Sequence, residues 1–152
     1  MMLLKIDRFM MRTAGVVLAI VGVAKIMSAF SGVRYLAQAD PVLSFLSNKD
    51  LLLLAGGVEV LLAGALLLWP HLWYARYGLF SLCTTFAVYR VGMVVMGVHS
   101  PCPCLGRASD WLHLKPKQVD SLSFSLLAGL SFIAISSIVI WNFKSRWVGQ
   151  GK

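Results

Sequence analysis

The sequence predicts an all-α integral membrane protein. It reads as one domain over residues 1–152, a bundle of four transmembrane helices with both termini cytoplasmic. Three observations carry this. Of the 152 residues, 59% are hydrophobic and 13% are charged, with a mean hydropathy of +0.78. Soluble domains are less apolar than this, and so few charges cannot cover a water-facing surface. Four apolar runs approach or exceed the roughly 20 helical residues that cross a bilayer. The net charge of +8 suits cytoplasmic segments lying against anionic lipid. No basic stripe interleaved with aromatics is present, so membrane lipid, not nucleic acid, is the expected partner.

The first run spans about 13–30, after a basic flank of Lys5, Arg8 and Arg12 set against Asp7. It is longer than a signal-peptide apolar region and no small-x-small cleavage site follows, so a retained span is expected. Residues 31–49 form a mixed loop in which Leu43, Phe45 and Leu46 suit the interface. The second run, about 50–69, contains Gly56, Gly57 and Gly64. Small residues at such spacing let helices approach closely. A very short turn with an aromatic cluster (Trp69, Trp73, Tyr74) makes spans two and three an antiparallel hairpin. The third run covers about 72–98 and the fourth about 121–143. Pro116 suits the first turn of the last helix, where its missing N–H is not needed.

Even-numbered spans put both termini on one side, with Lys5, Arg8, Arg12, Lys144, Arg146, Lys152 and the turn residue Arg76. The opposite side carries Arg34, Lys49, Arg107, Lys115 and Lys117, offset by Asp40, Asp50, Asp110 and Asp120. This bias places the termini in the cytoplasm of a cell bounded by an inner (plasma) membrane. The loop 99–120 then faces the periplasm or exterior, where disulfides persist.

Ionisable groups inside spans are costly and call for a partner or a purpose. Lys25 lies roughly 18 Å into the first span and Glu59 roughly 15 Å before the end of the second, at 1.5 Å per residue. Their depths predict a Lys25–Glu59 pair. Arg90 is nearer the outer end of the third span and reaches either down to Glu59 or outward along its own stem. Two roles are open for this group: an ion pair that fixes helix register, or a polar site for a quinone headgroup or a proton relay. Arg76 reads as an interfacial anchor.

The chemistry-bearing stretch is Ser100-Pro101-Cys102-Pro103-Cys104-Leu105-Gly106, holding two of the three cysteines. A C-x-C disulfide closes a tight, strained ring, and strain makes a disulfide easier to reduce. The prolines restrict the turn, Gly106 permits a positive backbone angle after it, and Arg107 and His99 favour thiolate. A redox dithiol, a soft-metal site (Cu(I) or zinc, with His99 or His113 assisting) and a plain structural pair all remain open. Cys83 lies roughly 22 Å deeper, beyond disulfide reach, and reads as a small buried residue.

With these residues in register, the chain resembles the MauE branch of the DoxX-like membrane proteins. The resemblance rests on four spans, Glu59 in Gly57-Val58-Glu59-Val60-Leu61, Tyr89-Arg90 late in the third span, and Cys102-Pro103-Cys104-Leu105-Gly106 after it. Pro103 and Leu105 stand where the family more often has Gly and Phe. The resemblance implies a redox-associated four-helix bundle. MauE is tied to methylamine utilisation and to disulfide formation in an exported dehydrogenase subunit, and other DoxX-like proteins to quinone-coupled sulfur oxidation. The expected function is a membrane component of an exoplasmic thiol–disulfide relay. Cys102 and Cys104 exchange with a thioredoxin-like or other exported thiol protein, and quinone is the candidate carrier near Glu59 and Arg90. The alternative is a non-enzymatic assembly or Cu(I)-delivery protein using Cys102, Cys104 and His99.

Overall fold

The structure, a computed structural model, describes residues 2–31, 34–97 and 116–149. Four helices account for most of them: α1 (Met2–Ala29), α2 (Asn48–Leu68), α3 (Trp73–Val95) and α4 (Pro116–Gly149), with a 3-10 turn at Arg34–Ala37. Each contains a segment long and apolar enough to cross a membrane: Ile6–Ala29, Asn48–Leu68, Trp73–Val95 and Ser121–Phe143. The helices alternate in direction. Asp7 near the start of α1 and Arg76 near the start of α3 both meet Ser137 late in α4.

The sequence sets the helix ends locally. Ser47 caps α2, its Oγ accepting from Asp50 N at 3.2 Å and donating to Asp50 Oδ2 at 2.6 Å, which satisfies an otherwise orphaned first-turn amide. At the other end of α3, Gly97 takes a φ of 68° and donates to Val94 O at 3.0 Å, the left-handed stop for which glycine has no Cβ penalty. Pro116 opens α4 as expected. Helix α1 differs: it begins at Met2, well ahead of Thr13. Asp7 reads as part of a polar flank in sequence but is 2% exposed inside the bundle.

The inward faces follow a four-three spacing. In α2 the stripe is Leu52, Gly56, Glu59, Ala63 and Leu66, all buried. In α4 it runs through Ser123, Leu127, Leu130, Ala134 and Ser137. This spacing keeps one seam facing the partner helices of a bundle. Large apolar side chains such as Phe124, Phe132, Val88 and Val95 point outward, while Asp7, Lys25, Glu59 and Arg76 are at most 3% exposed. That inversion is stable in lipid, where apolar surface needs no covering and charges must be paired inside.

Helices α1 and α2 form the tightest pair. A Cβ on Gly56 would lie 2.8 Å from Gly22 O, and one on Gly22 would lie 2.9 Å from Gly56 O. Gly15 is similarly close to Leu66 and Leu67. Gly57 and Gly64, expected in such contacts, face open space. The α2–α3 connection is short, as expected, but the two helices leave a cleft between them towards the end carrying the 30–47 loop. That loop is pinned by Asp40. Its Oδ1 accepts from Val42 N and Leu43 N, both at 2.8 Å, and its Oδ2 accepts from Tyr89 Oη at 2.6 Å.

Candidate functional site

Two polar centres occupy the interior. The first joins three helices at the end bearing the termini. Arg76 Nη2 donates to Asp7 Oδ2 at 2.8 Å and Nη1 to Ser137 Oγ at 3.0 Å. Ser137 Oγ in turn donates to Asp7 Oδ1 at 2.6 Å. The Arg76 guanidinium also lies 4.9 Å from the Trp141 ring centroid. Arg76 is therefore no interfacial anchor: it is 3% exposed and closes a ring of charge-assisted hydrogen bonds across α1, α3 and α4. The sequence hint was Asp7 in an otherwise basic flank, but its partner is 69 residues away.

The second centre contains the expected pair. Lys25 Nζ donates to Glu59 Oε1, and both side chains are buried. Lys25 Nζ also sits 4.4 Å from the centroid of the Phe86 ring, a cation–π contact. Glu59 Oε2 has no hydrogen-bond partner among the described residues, which is unusual for a buried carboxylate oxygen. Arg90 does not close on Glu59. It lines, with Lys25, Glu59, Cys83 and Ser123, a cavity of about 70 Å³ to which all four helices contribute. That volume has room for a few water molecules. Cys83 is buried there with a free thiol, in the small interior role expected for it.

A larger space lies on the other side of Lys25. It is the cleft between α2 and α3, about 500 Å³ in volume, lined by residues that include Leu46, Ala55, Val58, Leu82 and Phe86. Lys25, Leu82 and Phe86 belong to both spaces and form the wall between them. Leu54 and Val58 on one lip and Ser81 and Thr85 on the other are exposed, so the cleft opens sideways from the bundle. Sequence reading missed the cleft because it depends on the divergence of two helices that a short turn joins. Tyr89 and Asp40, which fix the loop whose Leu43 and Leu46 roof the cleft, were visible only as separate residues.

Cys102, Cys104, Gly106, His99 and His113 lie outside the described residues, in the connection between α3 and α4. Among the described residues no group of His, Cys, Asp and Glu is placed to hold a metal ion.

Apolar helices turned to lipid around paired interior charges define a four-helix, multi-pass membrane protein. Its second and third spans carry the acid and the arginine singled out in the sequence. The chain belongs to the MauE family: the family described as methylamine utilisation protein MauE matches residues 6–142, which include all four helices' membrane-spanning segments almost entirely. Neither a curated protein nor a solved structure matches the chain.

Proposed function

We propose that this protein is the membrane component of an exoplasmic thiol–disulfide relay, with both termini in the cytoplasm and the Cys102–Cys104 loop outside. The observation that carries the reading is the C-x-C pair in the connection that follows Arg90, in a MauE-family chain. The family's description makes methylamine utilisation the process to test first, in an accessory role.

In the oxidising direction, a thiolate of an exported partner attacks one sulfur of the Cys102–Cys104 disulfide. The S–S bond breaks, a mixed disulfide forms and the other cysteine leaves as thiolate. The partner's second thiolate then attacks the mixed disulfide. The partner leaves oxidised, and Cys102 and Cys104 leave reduced by two electrons. Reoxidation passes two electrons and two protons to a quinone, giving hydroquinone. The reverse sequence reduces the partner. The strain of a C-x-C ring favours exchange over storage.

The test is the redox state of Cys102 and Cys104 in native membranes, read by acid quench and a mass-shifting thiol reagent in Cys83→Ala protein. A mixed population that shifts with added quinone or reductant is expected, together with loss of cellular activity in Cys102→Ser and Cys104→Ser at unchanged protein level. Full activity of the double variant rules the relay out. A pair that stays reduced and shielded until a copper chelator is added assigns the loop to Cu(I) delivery instead.

A further inference from the structure

The sideways cleft between α2 and α3 has features that a lipid-filled groove does not require. Its volume of about 500 Å³ falls within the roughly 300–1,000 Å³ typical of small-molecule sites. Its wall is apolar apart from a few groups, and the charged one is Lys25. The hydroxyl of Thr85, on its lip, is already spent on Ser81 O at 2.9 Å. An ionisable side chain at membrane depth is costly to keep, and an acyl chain has no use for it.

The Lys25–Glu59 pair is also not closed on itself. An ammonium has three N–H donors. Glu59 Oε1 accepts one and the Phe86 face takes up the positive charge, leaving donor capacity at the wall shared with the cleft. On the inner side Glu59 Oε2 has no partner among the described residues, although Glu59 is 1% exposed.

Depth narrows the ligand. Lys25 lies level with Gly56, where an added Cβ would be 3.3 Å from Lys25 Cβ. Gly56 is eight residues into the Asn48–Leu68 span, or about 12 Å below its end at 1.5 Å per residue. In a hydrocarbon core about 30 Å thick, the ester carbonyls of phospholipids stay nearer the edge. An acceptor that reaches Lys25 then belongs to a molecule that partitions into hydrocarbon and carries a polar oxygen, and the Phe86 ring on the same wall suits a planar body.

We propose that the α2–α3 cleft binds a quinone-class molecule, with a ring carbonyl accepting a hydrogen bond from Lys25 Nζ, the ring beside Phe86 and the tail leaving through the lateral opening. The inference rests on the relay reading for its redox purpose and on the cleft alone for binding. It places the carrier on the lipid side of Lys25, not in the small cavity with Arg90.

The test uses full-length protein in nanodiscs titrated with decylubiquinone, with bound ligand measured after separation. Saturable binding is expected. Lys25→Met/Glu59→Gln, which removes both charges together, should bind about tenfold or more weakly. Ala55→Trp and Ser81→Trp, which fill the cleft from opposite helices, should do the same with both charges intact. Size exclusion and melting curves establish which variants are folded. Absence of saturable binding by the native protein overturns the site, as does undiminished binding by all three folded variants. Phospholipid that occupies the cleft and is not displaced by decylubiquinone also overturns it. Cys102→Ser/Cys104→Ser protein should bind as the native protein does. Normal binding with dispensable cysteines removes the relay and leaves the site; no binding with essential cysteines does the reverse.

Discussion

Arg76→Ala should be among the most damaging single substitutions in the bundle. The guanidinium donates to Asp7 Oδ2 at 2.8 Å, to Ser137 Oγ at 3.0 Å, and to Ser137 O and Pro70 O at 3.3 Å. Removing it leaves Asp7 buried, with Ser137 as its remaining partner in that ring. Breaking a buried pair from one side costs about 3–5 kcal/mol, a large part of a total stability of about 5–15 kcal/mol. An exposed anchor in the same sequence position would cost about 0–1 kcal/mol. Arg76→Lys keeps the charge but loses the planar fork that spans Asp7 and Ser137, so an intermediate cost of about 1–3 kcal/mol is expected. The double variant Asp7→Ala/Arg76→Ala should be less destabilised than the sum of the singles by about 2 kcal/mol or more, because it leaves no lone charge. Equilibrium unfolding in mixed micelles with increasing denaturing detergent, followed by helical circular dichroism, measures these three and the Asp7→Ala single variant. A change within about 1 kcal/mol for Arg76→Ala would refute the buried-clamp assignment.

Two further outcomes can be read on the same preparation. Gly56→Val drives a side chain against the Gly22 carbonyl and should destabilise by about 1–3 kcal/mol through overpacking. Gly57→Ala and Gly64→Ala meet nothing within 4 Å and should be neutral or slightly stabilising, since Ala is the better helix former; equal damage at all three positions would contradict the α1–α2 contact. Tyr89→Phe strips the 2.6 Å hydrogen bond to Asp40 and should cost about 1–3 kcal/mol. Faster amide exchange at Val42 and Leu43 should accompany it, and unchanged exchange there would show that Tyr89 does not hold the loop.

The parts legible in the sequence are those with a local or one-dimensional signature. Four apolar runs specify four helices because hydrocarbon admits little else. Lys25 and Glu59 could be matched because adjacent antiparallel spans turn depth into a single coordinate. Other features needed the third dimension. Asp7 looked like a flank residue because its neighbours are basic, and only the fold brings it to Arg76 and Ser137. Gly57 is next to Gly56, yet a rotation of about 100° per helical residue turns one outward and the other onto Gly22. The cleft has no sequence signature, since its residues are ordinary apolar ones and its shape comes from how α2 and α3 splay.

The three-helix clamp also orders events during synthesis. Asp7 is made near the start of translation, Arg76 follows 69 residues later and Ser137 a full 130 residues after Asp7. At about 5–20 residues per second, the carboxylate waits roughly 7–26 s before its last partner exists. Arg76 supplies the neutralising charge about halfway through that interval, and the ring then still lacks the Ser137 hydroxyl that joins it to α4. Arrival of α4 completes the ring. A chain cut short before Ser137 therefore keeps both members of the Asp7–Arg76 pair but lacks the hydroxyl that ties them to the last helix.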